Sequence, residues 1–201
     1  MNIDSLEALR SLYPAAGERA VRKQLVALDA HCRSFIALAP FVVVATAAQS
    51  GALDASPRGG APGFVKVDAG GAVLIPDAPG NNRLDSLENI IANPRIGLLF
   101  MIPGVDETLR VNGAARLSTA GDDVAWCQTE RRAPKLVIRV SVEEAFLHCA
   151  KAFMRSRLWH AEACIERSRL PGMGQMINDQ TGIVAPAETQ QAMIERYARD
   201  L

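Results

Sequence analysis

Thr108-Leu109-Arg110-Val111-Asn112-Gly113-Ala114-Ala115-Arg116-Leu117 is the stretch that decides the fold. Leu109, Val111, Gly113, Ala115 and Leu117 alternate with Arg110, Asn112 and Arg116. A period of two places one face of a strand on a core and the other in water. Leu136, Ile138, Val140 and Val142 repeat the pattern and predict a final strand. Upstream, Phe41-Val42-Val43-Val44-Ala45-Thr46 is short, β-branched and apolar, as in a strand covered on both faces. Gly51 breaks it, and Leu53 to Ser56 can pair back before Pro57-Arg58-Gly59-Gly60 turns the chain. Gly63 to Val67 and Ala72 to Ile75 flank a Gly70-Gly71 turn, which predicts a hairpin. Ile96 to Ile102 adds another strand.

Helical sequence brackets these strands. Ala15 to Leu38 carries Val21, Leu25, Leu28 and Cys32 at spacings of three and four, between Pro14 and Pro40. A second helix is predicted from Arg83 to Ala92, with Asn82 as N-cap and Leu84, Leu87 and Ile91 on one side. From Glu143 onward the chain reads as mostly helical, with Phe146, Cys149 and Phe153 at helical spacing and a terminal helix from Gln190 to Leu201. The expectation is one mainly β domain over residues 1–201. It has a helical N-terminal extension over 1–40, an antiparallel barrel core over 41–142 and a helical C-terminal extension over 143–201.

Bulk composition narrows the function. The 201 residues are 49% apolar and 22% charged, enough to bury a core without disulfide or metal staples. Lys+Arg and Asp+Glu each number 22, so no cationic excess favours nucleic acid. Cys32, Cys127, Cys149 and Cys164 form no Cys-x-x-Cys pair and read as reduced thiols of a cytoplasmic protein. The N-terminus lacks a signal-peptide pattern, and no apolar stretch approaches the ~20 residues that cross a bilayer. His31, His148 and His160 are isolated, and no spacing suggests zinc. Gly172-Met173-Gly174 lacks the third glycine of a dinucleotide fingerprint. No residue is assigned as a catalytic acid or base.

Two segments carry candidate chemistry. In Pro79-Gly80-Asn81-Asn82-Arg83-Leu84-Asp85-Ser86, a helix start offers unpaired N–H groups and Arg83 adds a forked cation. Asn81, Asn82 and Ser86 can add donors, so a phosphate monoester fits there. The same residues serve equally as a turn and a cap. Ser56-Pro57-Arg58-Gly59-Gly60 exposes an arginine that can reach a phosphate or simply occupy a solvated turn.

Ser56-Pro57-Arg58-Gly59, Pro62-Gly63-Phe64-Val65, Leu74 to Leu87, Ile102-Pro103-Gly104 and Thr108 to Gly113 occur in that order. Together, over roughly Phe35 to Trp159, they resemble the pyridoxamine 5′-phosphate oxidase-like FMN-binding proteins. The resemblance implies a six-stranded antiparallel split β-barrel, a homodimer and FMN at the subunit interface. It puts Asn81, Asn82, Arg83 and Ser86 on the FMN phosphate and Pro76 and Asp77 beside the flavin ring. Ser56 and Arg58 fall near the ribityl and phosphate contacts, and Thr108 near the ring edge. Lys151, Arg157 and Trp159 resemble a segment placed beside the site; they also read as a basic, solvated helix face. Asn81-Asn82-Arg83 replaces the Ser-Arg-Lys of the vitamin B6 oxidases, and their C-terminal Arg-Leu-His is missing. The resemblance therefore implies FMN-dependent oxidation or reduction of an unidentified small molecule, not of pyridoxamine phosphate. The alternatives are a flavin store, carrier or sensor, and a relative using deazaflavin or haem.

Overall fold

The computed structural model describes residues 2–129 and 132–199. The chain divides into two compact units, Met1–Arg155 and Ser156–Leu201. The first begins with α1 (Leu6–Ser11), α2 (Glu18–Arg22) and α3 (Ala30–Leu38), followed by β1 (Phe41–Ala47), β2 (Leu53–Gly59), β3 (Lys66–Val67) and β4 (Val73–Pro76). Then come α4 (Asp85–Ala92), β5 (Arg95–Met101), β6 (Thr108–Ser118), α5 (Gly121–Trp126), β7 (Val137–His148) and α6 (Lys151–Ser156). The second unit holds short 3-10 turns at Ala161–Ala163 and Arg167–Arg169, then α7 (Met173–Thr181) and α8 (Gln190–Tyr197). Of the terminal helix predicted to reach Leu201, Asp200 and Leu201 lie outside the described residues.

The strands form one curled antiparallel sheet, the half-barrel of a split-barrel fold, in the order β2-β1-β5-β6-β7-β4-β3. The sheet has seven strands where the family resemblance implies six, and two-residue β3, one arm of the predicted hairpin, lies at its edge. The predicted alternation in β6 holds: Leu109, Val111 and Ala115 are buried while Arg110 and Arg116 are exposed. Val42, Val44, Leu98, Phe100, Ile138 and Val140 join them in the main core, under Ile36 of α3 and Ile90 of α4. Leu74 and Val137 form a smaller cluster with Cys127, just after α5. Among the described residues no helix is long and apolar enough to cross a membrane.

Three local expectations are corrected. The helix predicted over 15–38 breaks after α2, and Leu25 instead exchanges backbone hydrogen bonds with Ala145 at 2.8–2.9 Å. The cause lies in the sheet: β4 pairs with β7 only over Val137 to Val140, leaving the rest of that β7 edge open. An unpaired buried strand edge is costly, and an extended segment satisfies it where a helix cannot. Second, the chain from Glu143 to His148 is strand, held by β6 residues 108–112, so Phe146 belongs to a sheet. Third, Pro57 and Arg58 do not turn the chain; they lie in β2 opposite Val43 and Val42. The proline is tolerated because β2 is an edge strand.

Candidate functional site

Position along β2 sets which side chains meet α4. Leu53, Ala55, Pro57 and Gly59 face outward, while Asp54, Ser56 and Arg58 are half-buried on the opposite face. α4 packs on β1, β2 and β6. Its first turn brings in Ser86, whose side chain is buried at 3% exposure. Ser86 Oγ donates to Asp54 Oδ2 at 2.5 Å and accepts a longer contact, 3.4 Å, from Arg58 Nη2. Arg58 Nη1 donates to Ser56 Oγ at 2.5 Å and to the Pro57 carbonyl at 2.9 Å. Farther along α4, Asn89 Nδ2 donates to Thr46 Oγ1 of β1 at 3.0 Å. A polar seam therefore runs between α4 and the β1–β2 edge, with one guanidinium fixed in it.

The loop leading into α4 departs from its prediction. Asn82 is not the N-cap: it and Leu84 have φ of 60° and 56°, and Leu84 occupies the cap position without a side-chain bond. Left-handed backbone cannot continue a helix, so α4 starts only at Asp85. Asn81 Oδ1 accepts from the Arg83 N–H at 3.0 Å, a contact that stabilises the turn rather than the helix. Arg83 Nε pairs with Asp85 Oδ2 at 2.8 Å, both side chains well exposed. The buried face of α4 is Ser86, Leu87 and Ile90, not Leu84, Leu87 and Ile91.

The remaining predicted residues are spread over other elements. Pro76 ends β4 opposite Val137, and the Asp77 N–H donates to the Leu136 carbonyl at 3.0 Å. β7, β6, β5 and β1 separate that strand from β2 in the sheet order. Thr108 opens β6 opposite His148 and is 3% exposed. Lys151 starts α6 in the first unit. Arg157 and Trp159 belong to the second, where Arg157 pairs with Glu162 at 3.2 Å and Trp159 is half-buried. Of the twelve candidates, Ser56, Arg58 and Ser86 are joined through their side chains, and Asn81 accepts from the Arg83 backbone. Asp54 was missed by sequence reasoning, although Asp54, Ser56 and Arg58 at alternate positions are the signature of one strand face.

On the outward side of the sheet, Ala45, Gly97, Asn112 and Glu144 are aligned across four strands. They floor an open groove of about 490 Å³. Its rim carries the Arg95–Glu143 pair at 2.6 Å, and Glu144 accepts from Asn112 and Gln24.

The fold and these contacts can be set beside known proteins. The HupZ protein of Group A Streptococcus, in the crystal structure of a variant, is 19% identical with a TM-score of 0.50, covering 62% of this chain and 100% of its own. An F420 reductase gives 17% identity and a TM-score of 0.43 over 56% of this chain and 94% of its own. A Clostridium acetobutylicum protein related to general stress protein 26, of the pyridoxinephosphate oxidase family, gives 11% and 0.42 over 59% and 85%. No curated protein sequence matches the chain significantly. The family model described as pyridoxamine 5′-phosphate oxidase matches residues 28–149, from the residues just before α3 to the end of β7. Since that match spans more than half of the sequence and coincides with the curled sheet, the chain belongs to the pyridoxamine 5′-phosphate oxidase-like split-barrel family.

Proposed function

We propose that this chain binds FMN, with its phosphate against Arg58, Ser56 and Ser86, and acts as an FMN-dependent oxidoreductase on a small molecule. The observation that carries the reading is the meeting of two hydroxyls, Ser56 of β2 and Ser86 of α4, on the guanidinium of Arg58, from which Ser86 is 28 residues distant in sequence. A guanidinium already oriented by Ser56 Oγ and a backbone carbonyl presents its remaining donors without further ordering, which suits a phosphate. The buried Ser86 hydroxyl would supply a neutral donor beside it on exchanging its bond to Asp54. Asn81, Asn82 and Arg83 would line the approach to the phosphate rather than grip it. Pro76, Asp77 and Thr108 would contact the ring end, and Lys151 the open side. Bound FMN would supply the redox chemistry through its isoalloxazine ring, with the protein providing position and electrostatics.

The reading includes a homodimer. Phe41, Ala45, Leu53, Ala55, Pro57 and Leu99 share the outward face of β1, β2 and β5, and Leu53 is 85% exposed. A broad apolar face is usually covered by a partner, and a second copy would cover it symmetrically. The deciding experiment is the visible spectrum of the purified protein, followed by FMN and riboflavin titrations and addition of reduced nicotinamide. Flavin bands, preference for FMN over riboflavin and bleaching support the proposal. A folded protein that shows no affinity for FMN sinks it.

A further inference from the structure

Asp54 stands in an unexpected place for a phosphate site. It lies on the same face of β2 as Ser56 and Arg58, and its Oδ2 accepts a hydrogen bond from Ser86 Oγ at 2.5 Å. A serine hydroxyl has one proton to give. A phosphate monoester is an acceptor and needs that same proton, while the Ser86 oxygen is the atom that Arg58 Nη2 approaches. Carboxylate and phosphate therefore cannot both accept the Ser86 bond, and the two anions repel one another at short range.

We propose that Asp54 is an internal anion that competes with the ligand's phosphate for Ser86. The inference rests on the phosphate reading above and adds a regulating residue to it. Binding swaps one acceptor for another: the Ser86–Asp54 hydrogen bond breaks, a Ser86–phosphate bond forms, and the Asp54 carboxylate turns away. The exchange lowers affinity for the phosphate end of the ligand and leaves the ring end untouched. The site thus releases a phosphorylated ligand more readily than a cluster of Arg58, Ser56 and Ser86 alone would. The sequence shows nothing of this, since Asp54 and Ser86 are 32 residues apart.

The test compares FMN with riboflavin, which lacks the phosphate, by quenching of flavin fluorescence in wild type, Asp54→Asn and Asp54→Ala. Asparagine keeps an acceptor for Ser86 without the charge, and alanine removes both; a thermal melt establishes which variants fold. The expected result is FMN binding about tenfold tighter in the variants, with riboflavin binding within twofold of wild type. FMN affinity that is unchanged or weaker overturns the inference, weaker binding marking Asp54 as a residue that orients Ser86. Arg58→Ala separates this from failure of the underlying reading. If Arg58→Ala leaves the FMN-to-riboflavin preference intact, the phosphate site itself is misplaced. If it abolishes the preference while the Asp54 variants do not raise it, only the internal anion is refuted.

Discussion

Arg58→Ala is the most informative perturbation of the proposed site. The side chain is half-buried on β2, and its guanidinium is held by Ser56 Oγ at 2.5 Å, the Pro57 carbonyl at 2.9 Å and Ser86 Oγ at 3.4 Å. Those contacts lie at an edge strand beside α4, so their loss leaves the main core intact. A charged hydrogen bond to phosphate contributes roughly 1.5–3 kcal/mol, which corresponds to about a 10- to 150-fold rise in Kd for FMN. Arg58→Lys keeps the charge but loses the fork, and should recover only part of that affinity. Arg83→Ala provides the contrast, because the family likeness also puts Arg83 on the FMN phosphate. Its side chain is 74% exposed and already paired with Asp85, so removal should cost under about 1 kcal/mol. Fluorescence titration with FMN and riboflavin, alongside a thermal melt to establish folding, measures all three variants. The reasoning is refuted if folded Arg58→Ala binds FMN within twofold of wild type, or if Arg83→Ala loses more.

Other outcomes test the fold. At the bulge between Asn112 and Gly113, a Cβ on residue 113 would sit 2.1 Å from the Ser141 carbonyl oxygen, so Gly113→Ala should destabilise by about 1–3 kcal/mol or more in urea unfolding. Burial raises the thiol pKa of Cys32 and of Cys127 to about 11, whereas Cys149 and Cys164 are exposed. A thiol reagent at pH 8 should therefore titrate two cysteines in the native protein and four after unfolding. Burial opposes ionisation of Asp68, but the Ala72 N–H and the Arg139 guanidinium outweigh it and hold the carboxyl below its usual range. Its contribution to stability is complete above the unfolded-state value near 4 and is lost as pH falls through the lower folded value. Asp68→Asn should accordingly flatten the decline of unfolding free energy below about pH 4, and an unchanged slope would refute that assignment.

The elements most legible in the sequence are those whose own pattern suffices. The alternation of 109–117 gave β6 because each side chain there answers only to the two faces of one sheet. The hairpin around Gly70-Gly71 is equally local, since a short turn fixes its register. Leu25 shows where locality ends. Its apolar spacing fits a helix, yet its backbone goes to an edge of β7 that exists only because β4 stops at Val73. Glu143 to His148 fails for the same reason: β6 is long enough to pair it, a fact held 30-odd residues away in sequence.

The candidate site repeats this division at the level of chemistry. Local pattern put an arginine and asparagines at a helix start, and the family likeness put a phosphate on them. It could not rank Arg83 against Arg58, because the ranking depends on what each guanidinium touches. Arg83 meets Asp85 two residues away, a contact any exposed turn could make. Arg58 meets Ser86 only because β2 pairs with β1 through Gly59 instead of turning at Pro57, which keeps Asp54, Ser56 and Arg58 on one face beneath α4. Strand parity therefore selects the residues of the site: had β2 ended at Ser56, Arg58 would lie in a loop free of that face. The edge position that tolerates Pro57 is what lets the strand run on, so the proline read as a turn signal sits in the strand that delivers the proposed phosphate ligand.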